Sequence, residues 1–150
     1  MDLRSSIVAG RLSALGAVTA VVLTMLGCGP AQNLAQTTHQ VINVNERDFS
    51  ITVKPQKVAA GTVVIRARNQ GPDAHELIVV RAPSGVLPLR SDGLTVNEEA
   101  LARSSVGTLE PGQAGADREL EVRLTPGRYL LLCNMAGHFM GGMRAELVVR

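Results

Sequence analysis

The sequence predicts an all-β domain, a small two-sheet sandwich behind an export segment, and three observations lead there. Short apolar runs alternate at period two from Gln40 onward. Clusters of Gly, Pro, Asn and Asp recur between them at the spacing of turns. Phe49, Tyr129 and Phe139 are the only aromatic residues, so the core has to be built from Val, Leu, Ile and Ala, which suits many short strands better than a large enzyme. A chain of 150 residues allows one domain of ordinary size. Its formal charge of +2 and scattered basic residues give no footprint for nucleic acid.

Residues 1–27 read as a signal segment rather than as part of the fold. Arg4 and Arg11 precede an apolar stretch from Leu12 to Gly27, the pattern of a secretory leader. It ends in Leu23-Thr24-Met25-Leu26-Gly27-Cys28, which resembles a bacterial lipoprotein processing site. That reading makes Cys28 a lipid-modified N-terminus and the membrane a partner through that lipid. Met25 departs from the Leu favoured in the motif, so an uncleaved anchor, or cleavage after Ala35, is also open. All three readings export the domain. Residues 28–39, polar and without periodicity, read as a flexible tether.

The domain itself is expected over residues 40–150. Val41, Ile42 and Val44, then Phe49, Ile51 and Val53, suggest two short strands interrupted around Asn45-Glu46-Arg47-Asp48. Thr62 to Ala67, dense in β-branched residues, gives another, stopped by the Asn69-Gln70-Gly71-Pro72 turn. His75 to Arg81 is the next strand. Residues 82–117 are the least regular part, with one short helix from a capping box at Thr95-Val96-Asn97-Glu98 to about Arg103. Glu98 and Glu99 read as its solvated, dipole-matched start, with a docking patch as the functional alternative. Glu110-Pro111-Gly112 reads as a turn. Arg118 to Leu124 alternates and is wet on one face; Arg128 to Cys133 is nearly continuous in apolar residues and reads as a central strand; Arg144 to Val149 closes the sheet. Tyr129 is expected to be structural, with its hydroxyl tied to a neighbouring loop.

Between the last two strands lies Cys133-Asn134-Met135-Ala136-Gly137-His138-Phe139-Met140-Gly141-Gly142-Met143. Thiolate and thioether select soft ions, copper(I) above all, and imidazole suits both oxidation states of copper. Cys133, His138 and Met143 supply all three donor types in a Cys-x4-His-x4-Met pattern. A second imidazole would complete a trigonal His2Cys plane with a weak axial Met, the arrangement that tunes copper for electron transfer. His39 lies in a polar stretch, whereas His75 heads a strand after a turn, so His75 is the better candidate. Met135 and Met140 are rivals for the axial place, although Met140 follows His138 by two residues and so tends to point away. Gly137, Gly141 and Gly142 allow the tight turning the loop needs. With Cys28 at the export signal and Cys133 among donors, a disulfide between them is not expected.

The run Thr125-Pro126-Gly127-Arg128-Tyr129 leading into Cys133-Asn134-x-x-Gly137-His138 and Gly142-Met143, with His75-Glu76-Leu77 upstream, resembles the plastocyanin/azurin-like cupredoxins. Within them it is most similar to the small bacterial copper-binding members and the sulfocyanin type. The resemblance covers residues 40–150. It implies a Greek-key β-sandwich holding one type 1 copper ion, with His75, Cys133 and His138 as equatorial ligands and Met143 as the axial one. Plastocyanins and azurins generally carry an Asn after the upstream His that helps pin the ligand loop; here Glu76 stands there. The Cys-to-His spacing is longer than in plastocyanin and the His-to-Met spacing longer than in azurin.

The expected function is therefore a blue copper electron carrier, not an enzyme, on the periplasmic or cell-surface side of a bacterial membrane. Its expected partners are redox proteins of an electron-transport chain, met as a monomer, with His138 as the electron's route. Phe139 and Met140 either form an apolar docking patch beside it or pack against the sandwich end. Copper delivery or storage is the alternative, and a metal-free sandwich for adhesion or assembly is a third reading. A multicopper oxidase or nitrite reductase needs further imidazoles, and after His75 and His138 only His39 is left.

Overall fold

The computed structural model describes residues 39–150; the expected leader, the Cys28 lipidation site and all of the tether but His39 lie outside the described residues. The strands are β1 (Gln40–Arg47), β2 (Ser50–Lys54), β3 (Lys57–Val58), β4 (Gly61–Asn69), β5 (His75–Arg81), β6 (Ser105–Gly112), β7 (Asp117–Leu124), β8 (Gly127–Leu132) and β9 (Arg144–Val149), and the helix is α1 (Glu98–Leu101). They form two sheets, β2-β1-β4-β7 and β3-β9-β8-β5-β6. β1 runs parallel to β4 and β3 to β9; every other pair is antiparallel. This is the expected β-sandwich with one short helix in a long loop. Among the described residues no helix is long and apolar enough to cross a membrane.

Alternation decides which side chains meet between the sheets. Ile42 and Val44 of β1, Val63 and Ile65 of β4, and Val122 and Leu124 of β7 face Leu77 and Val79 of β5, Tyr129 and Leu131 of β8, and Leu147 and Val149 of β9. Burying each such side chain contributes about 1.5–3 kcal/mol before conformational entropy is set against it. β5 is apolar without alternation because both its faces are covered. Ile78 and Val80, with Leu132, pack outward against Leu87, Val96, Leu101 and Phe139, so the 82–104 loop is a lid over the second sheet.

Four local expectations are corrected. Residues 105–112 form β6, whose register places Gly112 opposite His75; the Pro and Gly there sit at an edge strand, where Pro is tolerated. The helix cap is Asn97, whose side chain accepts from the N–H of Ala100 at 3.1 Å, while the Thr95 hydroxyl turns back to Asp92 at 2.6 Å. The helix ends at Leu101, before Arg103. Phe49 is no strand residue: it sits in the β1–β2 turn at φ 61°, 54% exposed. Tyr129 meets expectation. It is buried, and its hydroxyl donates to the carbonyl of Thr125 at 2.9 Å and accepts from that residue's N–H at 3.0 Å.

One end of the sandwich carries a buried polar layer. Glu46 of β1 and Arg118 of β7 reach over β4 to form an ion pair, and Gly112 leaves room for the guanidinium, since a Cβ there would lie 2.6 Å from Nε. Beside them Asn69, fully buried, donates to the carbonyls of Asp73 at 2.7 Å and Gly112 at 2.9 Å, and accepts from the N–H of Gly71 at 2.9 Å. These bonds fix the β4–β5 turn, and that turn delivers His75.

Candidate metal centre

At this end the ligand loop, the β4–β5 turn and the β1–β2 turn converge. Cys133 leaves β8, and its N–H donates to the carbonyl of Met143 at 3.1 Å, so the two ends of the loop are joined. Inside it the N–H of His138 donates to Met135 at 2.9 Å and that of Met143 to His138 at 2.9 Å, which makes two linked turns. Gly137 at φ 81° and Gly142 at φ 111° supply the left-handed positions those turns require.

His75, Cys133 and His138 are buried, and their donor atoms lie within 4.8 Å of one another. The two imidazoles meet through Nδ1 at 3.3 Å, and Nδ1 of His138 lies 3.6 Å from Sγ of Cys133. Neither Nδ1 has another partner among the described residues. Two ring nitrogens and a thiol sulfur this close together can be bridged by a single cation. Burial, then the neighbouring His138, hold His75 below the ordinary imidazole range, so it is a neutral donor. Burial pushes the Cys133 thiol up, against the backbone N–H groups of Met135 and Glu76, so a cation has to displace its proton. Met143 is fully buried in the main core cluster beside Cys133. A thiol and two imidazoles drawn together, two of the three on a loop that also carries the buried Met143, are donors that copper takes in electron-transfer sites, and they fit that ion.

The other named residues fall elsewhere. His39 stands at the far end of β1, with Nδ1 3.3 Å from Glu121. Met135 packs at the margin of the core and Met140 is 51% exposed. Phe139 is buried against the lid, which settles its part of the docking-patch question. Glu76 does what the Asn of plastocyanins and azurins was expected to do: its carboxylate accepts from the N–H of Asn134, next to Cys133, at 3.0 Å. Asn134 in turn brackets Val96, accepting from its N–H at 2.6 Å and donating to its carbonyl at 3.0 Å, and donates to Glu98 at 2.7 Å.

Three residues around the imidazoles had no signal in the sequence. Asp48 Oδ1 lies 3.1 Å from His75 Nε2, and Asp73 Oδ2 lies 3.8 Å from His138 Nε2. Phe49 meets the His138 ring edge to face, with centroids 5.5 Å apart. Asp48 and Phe49 belong to a turn that joins two strands of the opposite sheet, and only the folded sandwich brings that turn over the loop.

No protein-family model matches the sequence, and no curated protein matches it by sequence. Solved structures do match. Auracyanin from the photosynthetic bacterium Roseiflexus castenholzii aligns with TM-score 0.56 at 16% identity, over 74% of this chain and 97% of that one. Auracyanin A, a blue copper protein of Chloroflexus aurantiacus, aligns with 0.54 at 18%, over 73% and 98%. Rusticyanin of Thiobacillus ferrooxidans aligns with 0.52 at 16%, over 75% and 79%. Identities this low speak for the backbone alone, and the backbone, with a His-Cys-His cluster at the end of its sandwich, is that of the cupredoxins.

Proposed function

We propose that the chain is a mononuclear type 1 copper protein that carries electrons on the extracytoplasmic side of a bacterial membrane. The observation that carries this reading is the convergence of two imidazole Nδ1 atoms and one thiol at a buried point, within 4.8 Å. His75, Cys133 and His138 would hold the ion, with Met143 as a further, weaker thioether donor. A bound copper ion supplies a one-electron couple; the protein supplies a fixed donor frame and excludes water.

Each ligand's place in the fold supports carriage over exchange. His75 heads β5 opposite Gly112 of β6, and Cys133 directly follows β8 with its N–H on the carbonyl of Met143, so both stand at the ends of strands of one sheet. His138 is 8% exposed and is the ligand nearest solvent, which supports it as the electron's route. Redox proteins of an electron-transport chain are the partners this implies. Export by residues 1–27 and a lipid on Cys28 would place the domain at the membrane surface.

Visible absorption and electron paramagnetic resonance after addition of copper(II), with Cys133→Ser as control, test the reading. An intense thiolate-to-copper band with narrow copper hyperfine splitting, lost in the control, is expected. A colourless protein that takes only copper(I) would replace it with delivery or storage.

A further inference from the structure

The β1–β2 turn touches both imidazoles of the centre. Asp48 Oδ1 approaches His75 Nε2 at 3.1 Å, and Phe49 lies edge to face on the His138 ring. Neither His75 Nε2 nor Asp48 Oδ1 has a hydrogen-bond partner among the described residues, so each is left facing the other across 3.1 Å, and His75 is fully buried. Two glycines keep the space for this contact. A Cβ on Gly71 would lie 2.4 Å from Asp48 Oδ1 and 2.7 Å from His75 Nε2, and a Cβ on Gly141 would lie 2.2 Å from the Phe49 ring. The positive φ of Phe49 turns the chain so that Asp48 points inward and Phe49 seats on the loop. The Gly71 cradle thus serves the Asp48–His75 pair, and the Gly141 cradle seats the turn that carries Asp48.

Resting on the copper reading above, we propose that Asp48 is a positioning residue for His75 whose carboxylate biases the centre toward copper(II). A carboxylate oxygen 3.1 Å from Nε2 favours the proton on that nitrogen, the His75 tautomer that leaves the Nδ1 lone pair free for metal, and it makes the ring a stronger donor. The carboxylate also places a negative charge one imidazole away from the ion. In a site that excludes water this charge acts through a low effective dielectric, and it favours the state with one more positive charge. The electron that enters converts copper(II) to copper(I), and Asp48 makes that entry less favourable. The protein is expected to sit lower in potential than the same frame with a neutral residue at 48.

The test uses the full chain with Asp48→Asn, which keeps the acceptor and removes the charge, and Asp48→Ala, which removes both. In the metal-free protein, nitrogen-15 shifts of His75 should show the proton on Nε2 in wild type and Asp48→Asn, and a mixture of tautomers in Asp48→Ala. In the copper-loaded protein, redox titration of the visible band should give a higher midpoint in both variants. A tenfold change in the copper(II)-to-copper(I) affinity ratio corresponds to ~59 mV, and a shift of about that size is expected. Gly71→Ala, which pushes the carboxylate away, should move the midpoint the same way. If Asp48→Ala does not fold, Asp48→Asn carries the test alone. An unchanged midpoint with the band intact, or a wild-type proton on Nδ1, overturns the proposal and leaves the blue copper reading standing. A wild-type protein that gives no band with copper overturns both.

Discussion

Glu76 stands beside His75 with its carboxylate on the backbone N–H that follows Cys133, so one side chain ties the strand of one candidate ligand to the loop of two others. Burial, with Glu98 nearby, raises its pKa, and the bond to Asn134 is what that burial is set against. Glu76→Ala should leave the Asn134 N–H without a partner, at a cost of about 1–3 kcal/mol in urea unfolding. It should also weaken copper binding by roughly 10–100-fold in a competition titration, the usual effect of losing an outer-shell partner. Glu76→Gln keeps an acceptor oxygen and should recover most of both losses. An equal loss in the two variants would assign the effect to charge and not to loop anchoring. His75, Cys133 and His138, which the structure brings together, were legible as a cluster because donor chemistry is written in residue type and spacing. Asp48 and Phe49 were not, because a carboxylate in a polar turn and an aromatic beside alternating residues carry no mark of what lies across the sandwich.

The strands were legible where one face is wet and the other buried, as in β1, β4 and β7. They were not legible in β6, an edge strand whose side chains are mostly exposed and whose Glu110-Pro111-Gly112 end mimics a turn. The helix cap shifted from Thr95 to Asn97 because Asp92 competes locally for the Thr95 hydroxyl. Elements are also where the polar layer acts. Glu46 is fully buried, and desolvation raises its pKa above 4.5 against the opposing pull of Arg118. A carboxyl whose folded pKa exceeds its unfolded one binds its proton more tightly in the folded state. Its stabilising share is therefore complete below about pH 4.5 and is lost as pH rises through the raised value. The stability of wild type minus that of Glu46→Gln, from urea unfolding at a series of pH values, should accordingly fall as pH rises from 4.5; a rise would show that Arg118 outweighs desolvation. At the other end of the sheets, Tyr129→Phe removes the hydroxyl that binds Thr125 and should cost about 0.5–1.5 kcal/mol while leaving any copper spectrum unchanged.

For the molecule as a whole, the donors already lie within 4.8 Å of one another in a frame held by two sheets, a lid and a buried polar layer. His75 and Cys133 stand at strand ends of that frame, so the chain is expected to fold without the ion, unlike small metal domains whose folding depends on it. Copper should raise stability by mass action alone, by about 2.7 kcal/mol at a free concentration a hundred times Kd. For a domain of this size that is a rise in Tm on the order of 10 °C. Cys133→Ser should fold, since it alters one buried atom, and should show almost none of that rise. Amide hydrogen exchange gives the sharper test. Protection along β5, β8 and β9 should be present without metal and keep its pattern when copper is added, with gains confined to residues 133–143 and the two turns above them. Strands that gain protection only with copper would mean that the ion builds the frame, and a site built by its ion is suited to taking up and releasing metal more than to carrying electrons.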